Sequence, residues 1–525
     1  MQKHTHIELM DTTLRDGEQT LGVSFMPQEK LTICRTLIED VRVDRVEVAS
    51  ARVSEGELEA VSAIMSWAAE HGHADRIEVL GFVDDGRSIA WLQRAGARVI
   101  NLLCKGSRRH CKGQLGKTPA EHAADIRRNL LLAQQAGIAA NIYLEDWSQG
   151  MHDESYVYGI MDALADMVGT DGPVRRVMLP DTLGLLTPAD TFRYMGLMHE
   201  RYPHVHFDFH AHNDYDLAVA NILSAVQAGA RGVHTSVNGL GERAGNARLA
   251  SVVAALTDHG GCCLRIREEA LGRVSHAVES YSGIAVAPNT PITGAAVFTQ
   301  VAGVHADGDQ KQGLYQNALQ PERFGRRRAY ALGKVSGRAS VQANLQELGL
   351  ALSPEAVKAV TERVIELGDK KETVTQADLP YIVRDVLHHG QPVAEAVRLL
   401  SYIVTTAHGL RPMAQVRIEV EGHTYEESTQ GDGQYDAFVR AVRHIYRDRL
   451  GRTFPRLTNY VVTIPPGGRT DALVQTTIEW AFEGKTYRTH ALDADQTEAA
   501  IKATFKLLNI IETQYAGSTA AAREP

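Results

Sequence analysis

The stretch Ile7-Glu8-Leu9-Met10-Asp11-Thr12-Thr13-Leu14-Arg15-Asp16-Gly17-Glu18-Gln19-Thr20 runs from a short apolar segment into a dense polar turn. That is how a buried strand ends in a functional loop. Within a few residues the turn offers a guanidinium (Arg15), two carboxylates (Asp16 and Glu18) and a permissive glycine (Gly17). Charges at the end of a buried strand are costly unless they are paired or engaged with a metal or an anion. The turn therefore has to be read with whatever the rest of the chain brings to the same place.

Onward from this turn, the first ~270 residues alternate short β-branched apolar runs with amphipathic helical stretches. Strands are predicted at Ile7–Met10, Arg45–Ala49, Arg76–Phe82, Arg98–Cys104, Ala139–Glu145, Arg175–Leu179, His206–His210 and Gly232–Val237. Helical patterns such as Gln28–Leu37, Gly56–Glu70, Pro119–Ala136 and Leu217–Ala228 lie between them. Strand and helix alternating eight times within ~250 residues predicts an α/β fold, a parallel (β/α)8 TIM barrel. An open doubly wound sheet is the alternative. It would usually carry a glycine-rich phosphate loop after its first strand, and Arg15-Asp16-Gly17-Glu18 is not one.

Downstream the composition shifts near Gly283–Gly294, and Gly303-Val-His-Ala-Asp-Gly308 follows. Long alternating strands then begin near Glu395, at Arg398–Thr406, Met413–Glu421, Tyr460–Ile464 and Leu473–Phe482. Helices at Tyr435–Asp448 and Asp495–Leu508 suggest a repeated βββα unit. The expected division is a barrel over 1–275, a linker over 276–330, a small helical subdomain over 331–392, an α+β domain over 393–516, and a disordered tail over 517–525.

The chain has 525 residues, 44% of them apolar and 23% charged, an ordinary globular composition. A net charge of −9 argues against a nucleic-acid partner, which would call for a basic face. No secretory h-region and no membrane-length apolar run is visible. Five cysteines (Cys34, Cys104, Cys111, Cys262 and Cys263) form no framework spacing, and are read as reduced thiols of a cytoplasmic protein. The adjacent Cys262 and Cys263 are expected to be plain buried residues rather than a metal pair.

Barrels place their chemistry at the C-terminal ends of the strands. The unusual polar residues fall there. Asp16 follows the first strand, Tyr143 and Glu145 end the fifth, and Asp181-Thr182 the sixth. His210-Ala-His-Asn-Asp214 ends the seventh, and Asn238-Gly-Leu-Gly-Glu-Arg-Ala-Gly-Asn246 follows the eighth. On extended backbone His210 and His212 project to one side. With Asp16 and the amide oxygen of Asn246 they make a two-nitrogen, two-oxygen set suited to Mn, Zn, Co or Mg. Two histidines that merely cap a strand are the structural alternative.

Together, Asp11-Thr-Thr-Leu-Arg-Asp-Gly-Glu-Gln19, the His210 motif and the Asn238–Asn246 motif resemble the Claisen-condensing metalloenzymes of the isopropylmalate, homocitrate and citramalate synthase family. The resemblance covers essentially the whole chain. Ala49-Ser-Ala-Arg-Val-Ser54, Tyr143-Leu-Glu-Asp-Trp-Ser148 and Gly303-Val-His-Ala-Asp-Gly-Asp309 are most similar to the Leptospira-type (R)-citramalate synthases.

The resemblance implies acetyl-CoA-dependent condensation onto a 2-oxo acid, followed by thioester hydrolysis. Arg15 would stabilise the developing oxyanion, its structural alternative being an ion pair with Glu18 or Glu47. Thr182 would hold the substrate carboxylate, or else cap its own turn. Glu145 and His305 are the candidate bases. The resemblance puts His305 in the active site of the partner chain, with Asp307 and Tyr315 beside it, so that the working unit is a homodimer. Leu80, Leu103 and Tyr143 match the wall around the pyruvate methyl and would crowd the isopropyl of 2-oxoisovalerate. Otherwise the two leucines simply fill the barrel. Tyr435, Asp436, Leu457, Tyr460 and Ile464 match positions that contact a branched-chain amino-acid effector, isoleucine for citramalate or leucine for isopropylmalate. A lyase of the hydroxymethylglutaryl-CoA type shares the Arg-Asp and His-x-His elements but lacks the C-terminal domain. A catalytically dead amino-acid sensor would have no reason to keep Arg15, Asp16, Glu145, His210, His212, Asn246 and His305.

Overall fold

The computed structural model describes residues 5–168, 172–302, 305, 308, 314–369, 374, 376–387, 396–463 and 474–521. The chain forms two compact units: Met1–Phe298 with Gln316–Arg328, and Thr299–Tyr315 with Ala329–Pro525.

The first unit is a closed barrel of eight parallel strands in sequence order. They are β1 (Glu8–Asp11), β2 (Arg45–Ser50), β3 (Ile77–Phe82), β4 (Val99–Lys105), β5 (Ala139–Glu145), β6 (Val174–Asp181), β7 (Phe207–Ala211) and β8 (Gly232–Thr235). β1 closes on β8, with Leu9 opposite Val233 and Asp11 opposite Thr235. Each observed strand overlaps its predicted run.

Strand alternation sorts the side chains into two environments. Leu9, Val46, Val48, Ile77, Val79, Ile100, Leu102, Ile142, Val177, Phe207 and Val233 belong to the large core shared with the helices. The residues between them line the interior, and many are charged. Arg45 pairs with Glu8 at 3.2 Å, Glu78 at 3.1 Å and Asp208 at 2.5 Å. Met10, Leu80, Tyr143 and Met178 make a small separate cluster, with Leu103 against it. A barrel interior is usually filled by branched apolar residues; this one is not. Leu80 and Leu103 therefore belong to a local apolar patch in a polar interior, rather than to general filling.

Helix starts are set by sequence. Thr118-Pro-Ala-Glu121 and Thr187-Pro-Ala-Asp190 form capping boxes with proline in the first turn, opening the helices Pro119–Gln135 and Pro188–Arg201. Cys34, Cys104 and Cys111 are buried free thiols; Cys262 is half-buried and Cys263 exposed, against the expectation that this pair is buried.

In the second unit, three helices (Arg338–Glu347, Pro354–Asp369 and Leu379–Leu387) pack around Val341, Val360, Val364 and Leu379. Two three-stranded antiparallel sheets follow, each leading into a helix, Gln434–His444 and Gln496–Ala521. The last helix runs on to Ala521, where the sequence reading ended the ordered chain at 516. The third strand of each sheet, His423–Gln430 and Lys485–Asp493, carried little apolar signal; no residue of His423–Gln430 is buried, and Lys485–Asp493 gives Tyr487 and Ala491 to the core. Each enters through the same two-residue turn. Glu421-Gly422 and Glu483-Gly484 all have positive φ, between 47° and 77°, the twist that tight hairpins need. The shared string Glu-Gly-x-Thr-Tyr is the repeat signal that a strand-by-strand reading passes over.

Candidate active site

The β1 turn is fastened at several points. Thr13 Oγ1 accepts the Val237 amide at 2.8 Å, and Thr20 exchanges hydrogen bonds with the Gly241 backbone. These join it to the loop after β8. Glu18 leaves the cluster for the buried Lys30, 2.6 Å away, which also holds Glu57.

Asp16, His210 and His212 come together at the barrel top. His210 Nε2 is 3.2 Å and His212 Nε2 3.9 Å from Asp16 Oδ2. All three side chains are buried, with ligand atoms within 4.8 Å of one another. Asn246 joins them through a backbone bridge to His212. Its amide nitrogen donates to Leu240 O at 3.1 Å, while its buried Oδ1 has no partner among the described residues. Glycines make this placement possible. A Cβ on Gly245 would stand 1.9 Å from Gly239 O, and one on Gly241 2.5 Å from Asn246 Nδ2.

The electrostatics prepare the group for a cation. Burial by itself would raise the Asp16 carboxyl; Arg15 and His210 hold it well below the ordinary carboxylate range. Burial pushes His210 down, and burial with the neighbouring His210 pushes His212 down to about 4. One ionised carboxylate, two neutral imidazoles and one unpaired amide oxygen form a donor set that fits a divalent ion.

Arg15 is aimed from behind. Its Nε donates to Glu47 Oε2 at 2.7 Å, Nη1 lies 3.6 Å from Asp16, and the guanidinium stands 5.9 Å from the Tyr143 ring centroid. Of the two partners the sequence offered, Glu47 is the one used. Glu47 is fully buried and also accepts from Thr12 Oγ1 and Asn101 Nδ2, each at 2.8 Å. Burial opposes its ionisation, and Arg15 with these donors keeps its pKa lowered.

Tyr143 sits against Leu80, Leu103, Met10 and Met178, its ring edge-on to His210. Thr182 caps a neighbouring loop rather than its own turn: its hydroxyl accepts the Asp146 amide at 2.9 Å. Glu145, at the end of β5, is ion-paired with Lys105, with His110 Nδ1 at 4.0 Å. Sequence reading missed Lys105 and His110. Lys105 ends β4, so the strand-end rule could have found it; His110 ends the one-turn helix Arg108–His110 and carries no such marker.

His305 and Tyr315 belong to the second unit, where their ring centroids are 4.3 Å apart and both are exposed. Asp307 lies outside the described residues. The second unit also holds a cleft of about 670 Å³ lined by Tyr435, Asp436, Leu457 and Tyr460. Ile464 lies outside the described residues.

The HMGL-like family matches residues 6–279, the homocitrate synthase post-HMGL domain-like family 292–372, and the LeuA allosteric (dimerisation) domain 373–512. A probable 2-isopropylmalate synthase of Methanopyrus kandleri is 35% identical over 96% of this chain and 98% of its own length. The chain belongs to the isopropylmalate, homocitrate and citramalate synthase family. It is thus one of the acetyl-CoA-dependent condensing enzymes. An (R)-citramalate synthase of Methanocaldococcus jannaschii is 33% identical to this synthase, over 96% of this chain and 99% of the relative. Among solved structures, the hydroxymethylglutaryl-CoA lyase of Pseudomonas aeruginosa matches at 16% identity and a TM-score of 0.45, covering 55% of this chain and 96% of that one. No helix among the described residues is long and apolar enough to cross a membrane.

Proposed function

We propose that this synthase condenses acetyl-CoA with pyruvate to give (R)-citramalate and CoA, in isoleucine biosynthesis. The observation that carries the choice of 2-oxo acid is the wall of Leu80, Leu103 and Tyr143, backed by Met10 and Met178. Five bulky side chains leave room for a methyl group, and an isopropyl group would overpack them.

Asp16, His210, His212 and Asn246 would hold a divalent ion (Mn, Zn, Mg or Co). When bound, that ion polarises the carbonyl of the 2-oxo acid as a Lewis acid. Arg15, kept in place by Glu47, directs guanidinium N–H groups at the oxygen on which negative charge develops. Thr182 receives the substrate carboxylate. Glu145, with Lys105 beside it, takes a proton from the acetyl methyl. The resulting carbanion bonds to the keto carbon of pyruvate, whose oxygen becomes the tertiary hydroxyl on protonation. Water then cleaves the thioester and CoA leaves. In this reading His305, Asp307 and Tyr315 come from the partner chain of a homodimer, His305 being the second proton-transfer group. The cleft lined by Tyr435, Asp436, Leu457 and Tyr460 takes isoleucine, and the enzyme works in the cytoplasm.

A second reading is 2-isopropylmalate synthase, acting on 2-oxoisovalerate in leucine biosynthesis with leucine as effector. The Methanopyrus relative, a probable 2-isopropylmalate synthase, favours it. CoA release measured with each 2-oxo acid separates the two. The first reading expects the higher kcat/KM with pyruvate. The lyase alternative is disfavoured by the LeuA match over 373–512.

A further inference from the structure

Beneath the pyruvate wall lies a buried chain of hydrogen bonds that this mechanism does not use. Tyr143 Oη is 3.1 Å from His234 Nδ1, and His234 Nε2 is 3.1 Å from Asp208 Oδ2. Asp208 in turn meets Arg45 Nη2 at 2.5 Å and His206 Nε2 at 3.1 Å. Tyr143, His234, Asp208 and Arg45 are all within 5% of full burial.

The protons in this chain can be placed. Burial opposes an ionised Asp208, yet Arg45 and the two histidines hold its carboxyl well below the ordinary range. The carboxylate can only accept, so His234 Nε2 donates to it. That leaves Nδ1 for the Tyr143 hydroxyl, which is held downward against it, away from the substrate. Tyr143 thus offers the substrate pocket its ring alone.

We propose that His234, oriented by Asp208, is a positioning residue for 2-oxo acid selectivity, pinning the Tyr143 ring so that the wall around the substrate methyl cannot retreat. This rests on the pyruvate reading above. The physical argument concerns what Tyr143 does without its partner. A buried hydroxyl with no acceptor is costly. Asp208 is an acceptor on the far side of the space the imidazole would vacate. The ring would tip toward it, the flexible Met10 and Met178 would follow, and the pocket would deepen on the methyl side.

The test is kcat/KM for pyruvate, 2-oxobutanoate and 2-oxoisovalerate in the full-length wild type, H234A and H234Q. H234A is expected to raise the 2-oxobutanoate-to-pyruvate ratio about tenfold or more, the scale of one methylene in a pocket. In H234Q the side-chain amide can accept from Tyr143 and donate to Asp208, and the wild-type ratio is expected to return. H234N, too short to reach both partners, carries the same expectation as H234A and replaces it if H234A does not fold. A wild type that prefers pyruvate, with an unmoved ratio in H234A or H234N, overturns the positioning role and leaves the functional reading standing. So does a ratio that shifts as much in H234Q as in H234A. A wild type that prefers 2-oxoisovalerate overturns the functional reading and this inference with it.

Discussion

The barrel site and the C-terminal cleft each contain a tyrosine ring whose hydroxyl is tied inward. Tyr143 bonds to His234, and Tyr435 bonds to Thr504 Oγ1 at 2.6 Å. What surrounds the two rings differs. Around Tyr143 stand the buried charges Arg15, Asp16, Glu47 and Asp208, each held by more than one partner. Around Tyr435 stand the second aromatic ring of Tyr460, at 5.3 Å, and the partly exposed Asp436 with Arg440. Charge fixed in a dry site suits the stabilisation of charge that develops during a reaction. An open cleft that sets Tyr435, Leu457 and Tyr460 beside the charged Asp436, Arg443 and Asp495 suits reversible binding of a small molecule with both apolar and charged parts.

The comparison breaks first at Asp16. D16A is expected to abolish retention of a divalent ion on dialysis, by metal analysis, and to lower kcat about 10³-fold, the range of a lost charge-stabilising group. A D16A enzyme that keeps both its ion and its rate removes the distinction between the two regions.

Asp11 tests how much free energy the buried charges of the barrel withhold. Burial pushes its carboxyl from 3.8 up to about 7, against hydrogen bonds from Thr13. An acid with a raised folded pKa contributes stability that is fully present below its unfolded pKa and lost as pH rises through the folded one. The wild type is therefore expected to lose up to about 4 kcal/mol from this group between pH 4 and 8. D11N should remove that part of the slope in urea denaturation, and an unchanged slope refutes the assignment.

E47Q is expected to lower kcat about 10–100-fold, as loss of a supporting group behind a metal site does. It should also cost about 3 kcal/mol, because Arg15 loses the closer of its two ion-pair partners in a largely buried site. Kinetics and urea unfolding of the same preparation give both numbers. L103A, in the apolar part of the same site, should leave stability of the ion site alone and shift the 2-oxobutanoate-to-pyruvate kcat/KM ratio about tenfold.

The smallest effect belongs to the C-terminal cleft. Isoleucine is expected to inhibit the wild type, and Y460A to weaken that inhibition about fivefold or more, the low end of allosteric coupling. The rate without effector should stay as it was. Loss of basal rate in Y460A would make the cleft structural rather than regulatory.

The barrel was legible because outward-facing apolar residues mark its strands, and the meeting of Asp16, His210 and His212 because these residues fall at strand ends. The support behind the site was harder to see. Arg45 and Glu47 alternate with Val46 and Val48, a pattern that already says two charges face the barrel interior. Which of them would meet Arg15 depends on the stagger between β1 and β2, and no single strand carries that information. The third strands of the C-terminal sheets were illegible for another reason. Register there comes from the Glu-Gly turns and from pairing with a neighbour, so the strands need only a thin apolar face, Tyr425 in one and Tyr487 with Ala491 in the other.

The central claim is that the Leu80, Leu103 and Tyr143 wall selects a methyl group. Steady-state CoA release by the full-length, metal-loaded enzyme, with pyruvate and with 2-oxoisovalerate, measures this directly. A kcat/KM at least about tenfold higher with pyruvate is the predicted result. A higher value with 2-oxoisovalerate contradicts it.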